Sequence, residues 1–167
     1  MKFYVLKVSI LIMVCFLSTS CSQESVDIVP VEELQNELKI GEYTSLENEI
    51  FLLLNDFRSR QGLEILKKAA IISSISNDHT QYMIISNEIS HDNFNTRHNE
   101  LVSKANASKV GENVAFGYNS ARGVVNAWLS SDVHKSIILT PSYTHFGISV
   151  HANGEGRNYF TNIFIER

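Results

Sequence analysis

Hydrophobic residues recur along this chain with two different periods, and the change from one to the other divides it. Ile50, Leu53, Leu54 and Phe57 follow at helical spacing and predict an amphipathic helix over about Leu46 to Arg60, stopped near Gly62. Ile71, Ile72, Ile75, Tyr82 and Met83 predict a second helix over about Lys67 to Ser86, and Val124, Ala127 and Trp128 a third over about Ala121 to His134. Stripes of this kind face a core before they face a cofactor. The later segments Asn113 to Phe116, His145 to Ala152 and Asn158 to Ile165 are short, apolar and rich in β-formers. Between the last two, Asn153-Gly154-Glu155-Gly156-Arg157 reads as a hairpin loop whose glycines can take positive φ. Helices first and an antiparallel sheet last read as an α+β domain.

The first twenty residues carry a different signal. Lys2 and Lys7 give a basic start, Val8 to Leu17 is almost unbroken apolar sequence, and Ser18-Thr19-Ser20 places small residues before Cys21. This is the pattern of a secretory signal peptide over residues 1–20. As a helix, ten apolar residues extend roughly 15 Å, about half the hydrocarbon thickness of a bilayer, so a permanent span is the poorer reading. The small residues before Cys21 resemble a bacterial lipobox, with Ser18 in the place usually held by Leu. That resemblance implies a cysteine that is acylated and becomes the mature N-terminus, anchoring the protein to a membrane.

Cysteine and charge then narrow the class. Of the two cysteines, Cys15 would leave with the signal and Cys21 would carry lipid, so nothing downstream offers a disulfide, a thiolate ligand or a cysteine nucleophile. Residues 21–45 read as an acidic tether: Glu24, Asp27, Glu32, Glu33, Glu37 and Glu42 stand against Lys39 alone, with a short helix expected around Val31 to Ile40. From residue 46 to 167, twelve acidic and eleven basic residues nearly balance. No basic face is offered, so nucleic acid is not an expected partner.

The candidate chemistry lies in three separated segments: His91, the tripeptide Gly111-Glu112-Asn113, and the stretch Trp128 to His134. Two imidazoles and a carboxylate are what a zinc or copper site, or a general-base site, is assembled from. If Glu112 ligates a metal with His91 and His134, no obvious base remains; if Glu112 is the base, the metal keeps two protein ligands. The structural alternative is that Glu112 braces the cleft by accepting backbone N–H bonds, Asn113 caps a turn, and the histidines are hydrogen-bonded. His79 reads as a buried, satisfied imidazole and His98, after Arg97, as part of a polar solvated loop, while His145 and His151 lie on a strand that could edge the cleft. Ser130 and Ser131 lie close to His134, but there is no Gly-x-Ser-x-Gly elbow, and Gly111, Gly117 and Gly123 form neither a phosphate loop nor a dinucleotide fingerprint. Trp128 is read as a core anchor whose N–H needs a partner.

Taken in order, Asn55-x-x-Arg58, Gly62-Leu63-x-x-Leu66, His91, Gly111-Glu112-Asn113, Trp128, His134 and Phe146-Gly147-Ile148 resemble the CAP superfamily, also called SCP or PR-1-like. The likeness runs from about Ser45 to Arg167, and its most specific element is Gly-Glu-Asn followed about fifteen residues later by Trp128, Ser131 and His134, as in the bacterial branch. It implies a three-layer α-β-α sandwich with a small antiparallel sheet over residues 46–167. It also implies a cleft holding two histidines and two acidic residues. His91, Glu112 and His134 match three of these, and the second acidic position falls on Ser131, which can order a water but not replace a carboxylate's charge. The family is linked more often to lipid or partner binding than to a settled reaction. The expectation is therefore an exported lipoprotein of the bacterial envelope, more a binding module for a lipid, glycan or protein than an enzyme. The alternatives are a hydrolase dependent on zinc or another divalent metal, and a structural envelope protein.

Overall fold

The computed structural model describes residues 43–167, so the expected signal peptide, Cys21 and nearly all of the expected tether, including its short helix, lie outside the described residues. The first helix, α1 (Ser45–Arg60), starts at a capping box: the Thr44 hydroxyl accepts from the Glu47 N–H at 3.2 Å, and the Glu47 carboxylate accepts from the Thr44 N–H at 2.8 Å. Tyr43 already belongs to the domain, because its ring packs on Phe51 and Phe146.

Two of the expected helices need correction. Lys67–Lys68 is not the start of a helix but a two-residue strand, β1, paired in parallel with the later strand at His145 and Phe146; α2 begins at Ala70 and runs to Ser86. The Lys67 N–H donates to the Thr144 carbonyl and the Ala69 N–H to that of Phe146, and these cross-strand bonds replace the first helical turn. The third expected helix is two, α4 (Ala121–Ser130) and α5 (Asp132–Ile138), broken at Ser131, whose backbone is extended at φ −98° and ψ 120°. Ahead of them in the chain lies α3 (Phe94–Ala105), where the polar sequence suggests a loop.

Strands β2 (Lys109–Phe116), β3 (His145–Ala152) and β4 (Asn158–Glu166) lie close to where the alternation places them. Sheet order is β1-β3-β4-β2, antiparallel apart from β1, so β2 is an edge strand with β4 as its sole neighbour among the described residues. The β3–β4 hairpin turns through Asn153–Arg157, and of its two glycines only Gly156 takes positive φ, at 75°.

The alternation of β4 builds the layers. Phe160 and Phe164 enter a core shared with Ile50 and Leu54 of α1, Trp128 of α4 and Ile138 of α5. Ile163 and Ile165 enter a second core with Ile72 and Ile75 of α2 and Leu101 of α3. The result is the α-β-α sandwich that the resemblance implies. Two features set the spacing of its layers. The α2 backbone crosses β3 so closely at Gly147 that a methyl group there would lie 2.4 Å from the Ser73 nitrogen. Arg58, fully buried, donates to the carbonyls of Glu64, Ile138, Thr140 and Tyr143 and sews α1 to the end of α5. Among the described residues no helix is long and apolar enough to cross a membrane.

Candidate functional site: a cleft at the β2 edge

Successive residues of a strand point to opposite faces, and the tripeptide at the middle of β2 uses this directly. Gly111 must lack a side chain, because a Cβ would meet the Tyr143 hydroxyl at 2.4 Å and Ile137 at 2.9 Å. Glu112 turns to the face covered by α2 and α3. Asn113 turns to the other face, where its Nδ2 donates to the His134 carbonyl at 3.1 Å and ties α5 to the strand. Asn113 thus holds a helix rather than capping a turn. Trp128 closes the same region by donating its indole N–H to the Val114 carbonyl at 3.1 Å, the partner expected of a core tryptophan.

Glu112 is enclosed, with 1% of its side chain exposed. Its Oε2 accepts from Arg97 Nε at 2.7 Å, and its Oε1 accepts from Arg97 Nη2 at 2.7 Å and from His91 Nδ1 at 2.8 Å. Glu112 therefore acts as a brace, but the expected backbone N–H donors are replaced by two side chains. Burial alone would raise its pKa, and this is the largest single influence. The hydrogen bonds from His91 and Arg97, with the Arg97 charge, outweigh it and hold the carboxyl below its usual range.

His91 sits in the loop between α2 and α3 with its side chain 51% exposed. Because a carboxylate only accepts, Nδ1 carries the proton, and Nε2 makes no hydrogen bond among the described residues. His134 lies on α5, in the opposite layer. Its pKa is lowered by partial burial and then by the neighbouring His91, which marks the two imidazoles as electrostatic neighbours. Ser131 starts α5 and its side chain caps neither adjoining helix. Of the four residues read from the sequence, the structure joins His91 and Glu112 directly, attaches His134 through Asn113, and leaves Ser131 one helical turn before His134.

His79 is buried, as expected. Its Nε2 donates to the Ser90 carbonyl at 2.8 Å and stands 3.9 Å from Glu112 Oε1, and burial lowers its pKa. His98 lies on α3 beside the Phe94 ring rather than in a loop. His145 and His151 are on β3, separated from β2 by β4, and so do not edge this cleft.

Arg97 is the residue that sequence reasoning missed. The signal was present: Phe94, Arg97, Leu101 and Ala105 recur at helical spacing, and the last three are buried. Both Glu112 oxygens are engaged, and among the described residues no group of three or more His, Cys, Asp or Glu side chains is arranged to hold a metal.

Fold and site together define an α-β-α module in which a half-exposed histidine is braced by a buried carboxylate. Residues 51–164 match the profile of the cysteine-rich secretory protein family, CAP, and the chain belongs to that family. It is 30% identical over 129 residues to the uncharacterized membrane protein YlbC of Bacillus subtilis, an alignment covering 74% of this chain and 35% of the relative. Among solved structures, an outer surface protein from Borrelia burgdorferi superposes with a TM-score of 0.66 at 19% identity, over 76% of this chain and 98% of that one. An extracellular protein containing an SCP domain from Bacillus anthracis superposes at 0.63 with 23% identity, over 84% of this chain and 44% of that one. The chain thus spans only about a third of the length of YlbC.

Proposed function

We propose that this chain is an exported CAP module that binds a lipid, glycan or protein partner in the cleft between His91 and His134 without turning it over, and is held at the bacterial envelope through acylated Cys21. Export is supported by the basic-apolar-small start of the chain and by likeness to proteins described as extracellular, outer-surface or membrane proteins. The observation that carries the non-catalytic reading is the double engagement of Glu112. A general base needs a free oxygen and a pKa near the working pH. Glu112 offers neither, since Arg97 and His91 occupy it and depress its pKa.

A specific observation favours a second reading, a divalent-metal site. A carboxylate behind Nδ1 with Nε2 left unbonded is the arrangement that orients metal-ligating histidines. His91 Nε2 and His134 would hold the ion, one ligand short of the usual catalytic zinc set, so binding should be weaker than at a three-ligand site but still tighter than about 10 μM. The ion would supply Lewis acidity there, while Glu112 remains the support of His91.

The test is calorimetric titration of Zn²⁺, and separately Cu²⁺, into the protein and into the variant His91→Ala/His134→Ala, followed by glycan and lipid arrays probed with both. On the first reading neither metal binds more tightly than about 10 μM, roughly 7 kcal/mol, and an array ligand is retained by wild type and lost by the variant. One-to-one metal binding above that affinity that vanishes in the variant would sink it in favour of the metal site. Array binding that survives the double substitution would move the function from the cleft to the surface, as the structural-protein alternative expects.

A further inference from the structure

The two edges of the sheet are finished differently. Along β3, backbone groups turned away from β4 are engaged: the carbonyls of Thr144 and Phe146 accept from the N–H groups of Lys67 and Ala69, and the Val150 N–H donates to Glu47 Oε1 at 2.9 Å. Along β2 they are not. Successive residues of an antiparallel strand direct their N–H and C=O alternately to its two sides. Gly117 continues the β2–β4 ladder by donating to the Asn158 carbonyl at 2.8 Å, which assigns Gly111, Asn113 and Ala115 to β4 and turns Val110, Glu112, Val114 and Phe116 to the open side. Trp128 agrees with this parity, since its indole N–H reaches the Val114 carbonyl. Among the described residues nothing bonds the N–H or C=O of Val110 or Glu112, or the N–H of Val114.

We propose, building on the binding reading above, that the partner is a polypeptide and that an extended stretch of it pairs with β2 as a further strand. It exchanges two bonds with each of Val110 and Glu112 and accepts one more from the Val114 N–H, and it stops where Trp128 has taken the Val114 carbonyl. The partner residue opposite Glu112 takes the sheet face of His91, and its two neighbours take the face of α5.

The form of the edge selects this occupant. Gly111 to Ala115 are all buried although β2 has a sheet neighbour on one side only, because Arg97 of α3 lies against one face and Tyr143 and Ile137 of α5 against the other. Yet Glu112 as a whole is 4% exposed while its side chain is 1% exposed, so solvent meets it at the main chain. Two edges recessed in this way cannot approach to the spacing of paired strands, about 4.8 Å, which disfavours a second copy pairing through the same strand, whereas a lone extended chain can enter. A lipid tail offers these backbone groups no hydrogen bond. Only a peptide repeats a donor and an acceptor together every two residues, about 6.8 Å, as β2 does.

The experiment is amide hydrogen exchange read by NMR on the full chain, titrated with the peptide acetyl-Thr-Val-Thr-Val-Thr-Val-amide, a sequence of strand formers. Exchange is expected to slow at least tenfold at Val110, Glu112 and Val114, saturably, while Gly111 and Asn113, already paired to β4, stay as they are. The peptide N-methylated at every residue has no donors and should not bind; methylated at every second residue it keeps one edge and should. Val110→Pro removes an outward N–H without costing a bond to β4 and should weaken binding about tenfold, and the methylated peptides test the same bonds without altering the protein. Absence of saturable protection, equal protection of alternate residues, or undiminished binding by the fully methylated peptide overturns the proposal. So does protection of Val110 and Glu112 before peptide is added, since a second copy or the segment before Tyr43 then holds the edge. If the peptide fails while an array ligand is retained by wild type and lost by His91→Ala/His134→Ala, the peptide partner falls and the cleft reading stands; if neither binds, both fall.

Discussion

Two arginines are buried among the described residues, and they are satisfied in opposite ways. Arg58 meets no carboxylate: its donors go to four backbone carbonyls, including those of Ile138 and Thr140 at the end of α5, where the helix dipole is negative. Arg97 meets a carboxylate in a two-bonded fork and puts its remaining contact on the Asp92 carbonyl. The first arrangement joins chain segments and leaves nothing titratable. The second traps an ionised Glu112 under the cleft and, through it, aims His91. One residue type thus serves as cross-brace in one layer and as electrostatic support of a site in the other.

Substitution separates the two roles. The largest effect is expected from Arg97→Met, which strands a buried carboxylate and should cost about 3–5 kcal/mol in urea unfolding at neutral pH, most of it recovered when Glu112→Leu is added. Its pH dependence has a definite sign. In wild type Glu112 is depressed below its ordinary value, so its contribution is complete above the unfolded pKa and is lost as pH falls through the folded one. Without Arg97, burial raises that pKa instead, the folded state takes up a proton on acidification, and the gap to wild type narrows. A gap constant with pH would break the comparison. Arg58→Met should cost less, about 2–3 kcal/mol, because neutral carbonyls rather than a charge lose their partner, and this loss should not change between neutral and mildly acidic solution. The smallest effect is expected from Asn113→Ala, about 1 kcal/mol, read as faster amide exchange in α5 while α3 is unaffected.

The same contrast explains what could be read from the sequence. Arg58 belonged to a recognisable pattern with Asn55, whose amide exchanges two bonds with Leu66, and the helix bearing both was legible from its apolar stripe. Glu112, His91 and His134 were recognisable by residue type and order. Arg97 was not, because α3 carries so many polar residues that it resembles a loop, and its buried face is completed by a charged side chain whose partner lies on β2. Lys67–Lys68 is a strand only because Thr144 and Phe146 supply its bonds, and two lysines carry no local strand signal. The break at Ser131 was hidden for the converse reason: the helical period runs on through it while the backbone does not.

The placement of His91 has a consequence for how such a domain diversifies. Its aim comes from Glu112, which is anchored in the core, but the histidine itself sits on a half-exposed loop between α2 and α3. Changes in the neighbouring loop positions can alter the surface around His91 without disturbing either hydrophobic layer, whereas changes at Glu112 or Arg97 cannot. The module is built like a socket with a fixed back and an exchangeable front, and related chains should vary fastest in this loop while the carboxylate and its guanidinium change together or not at all.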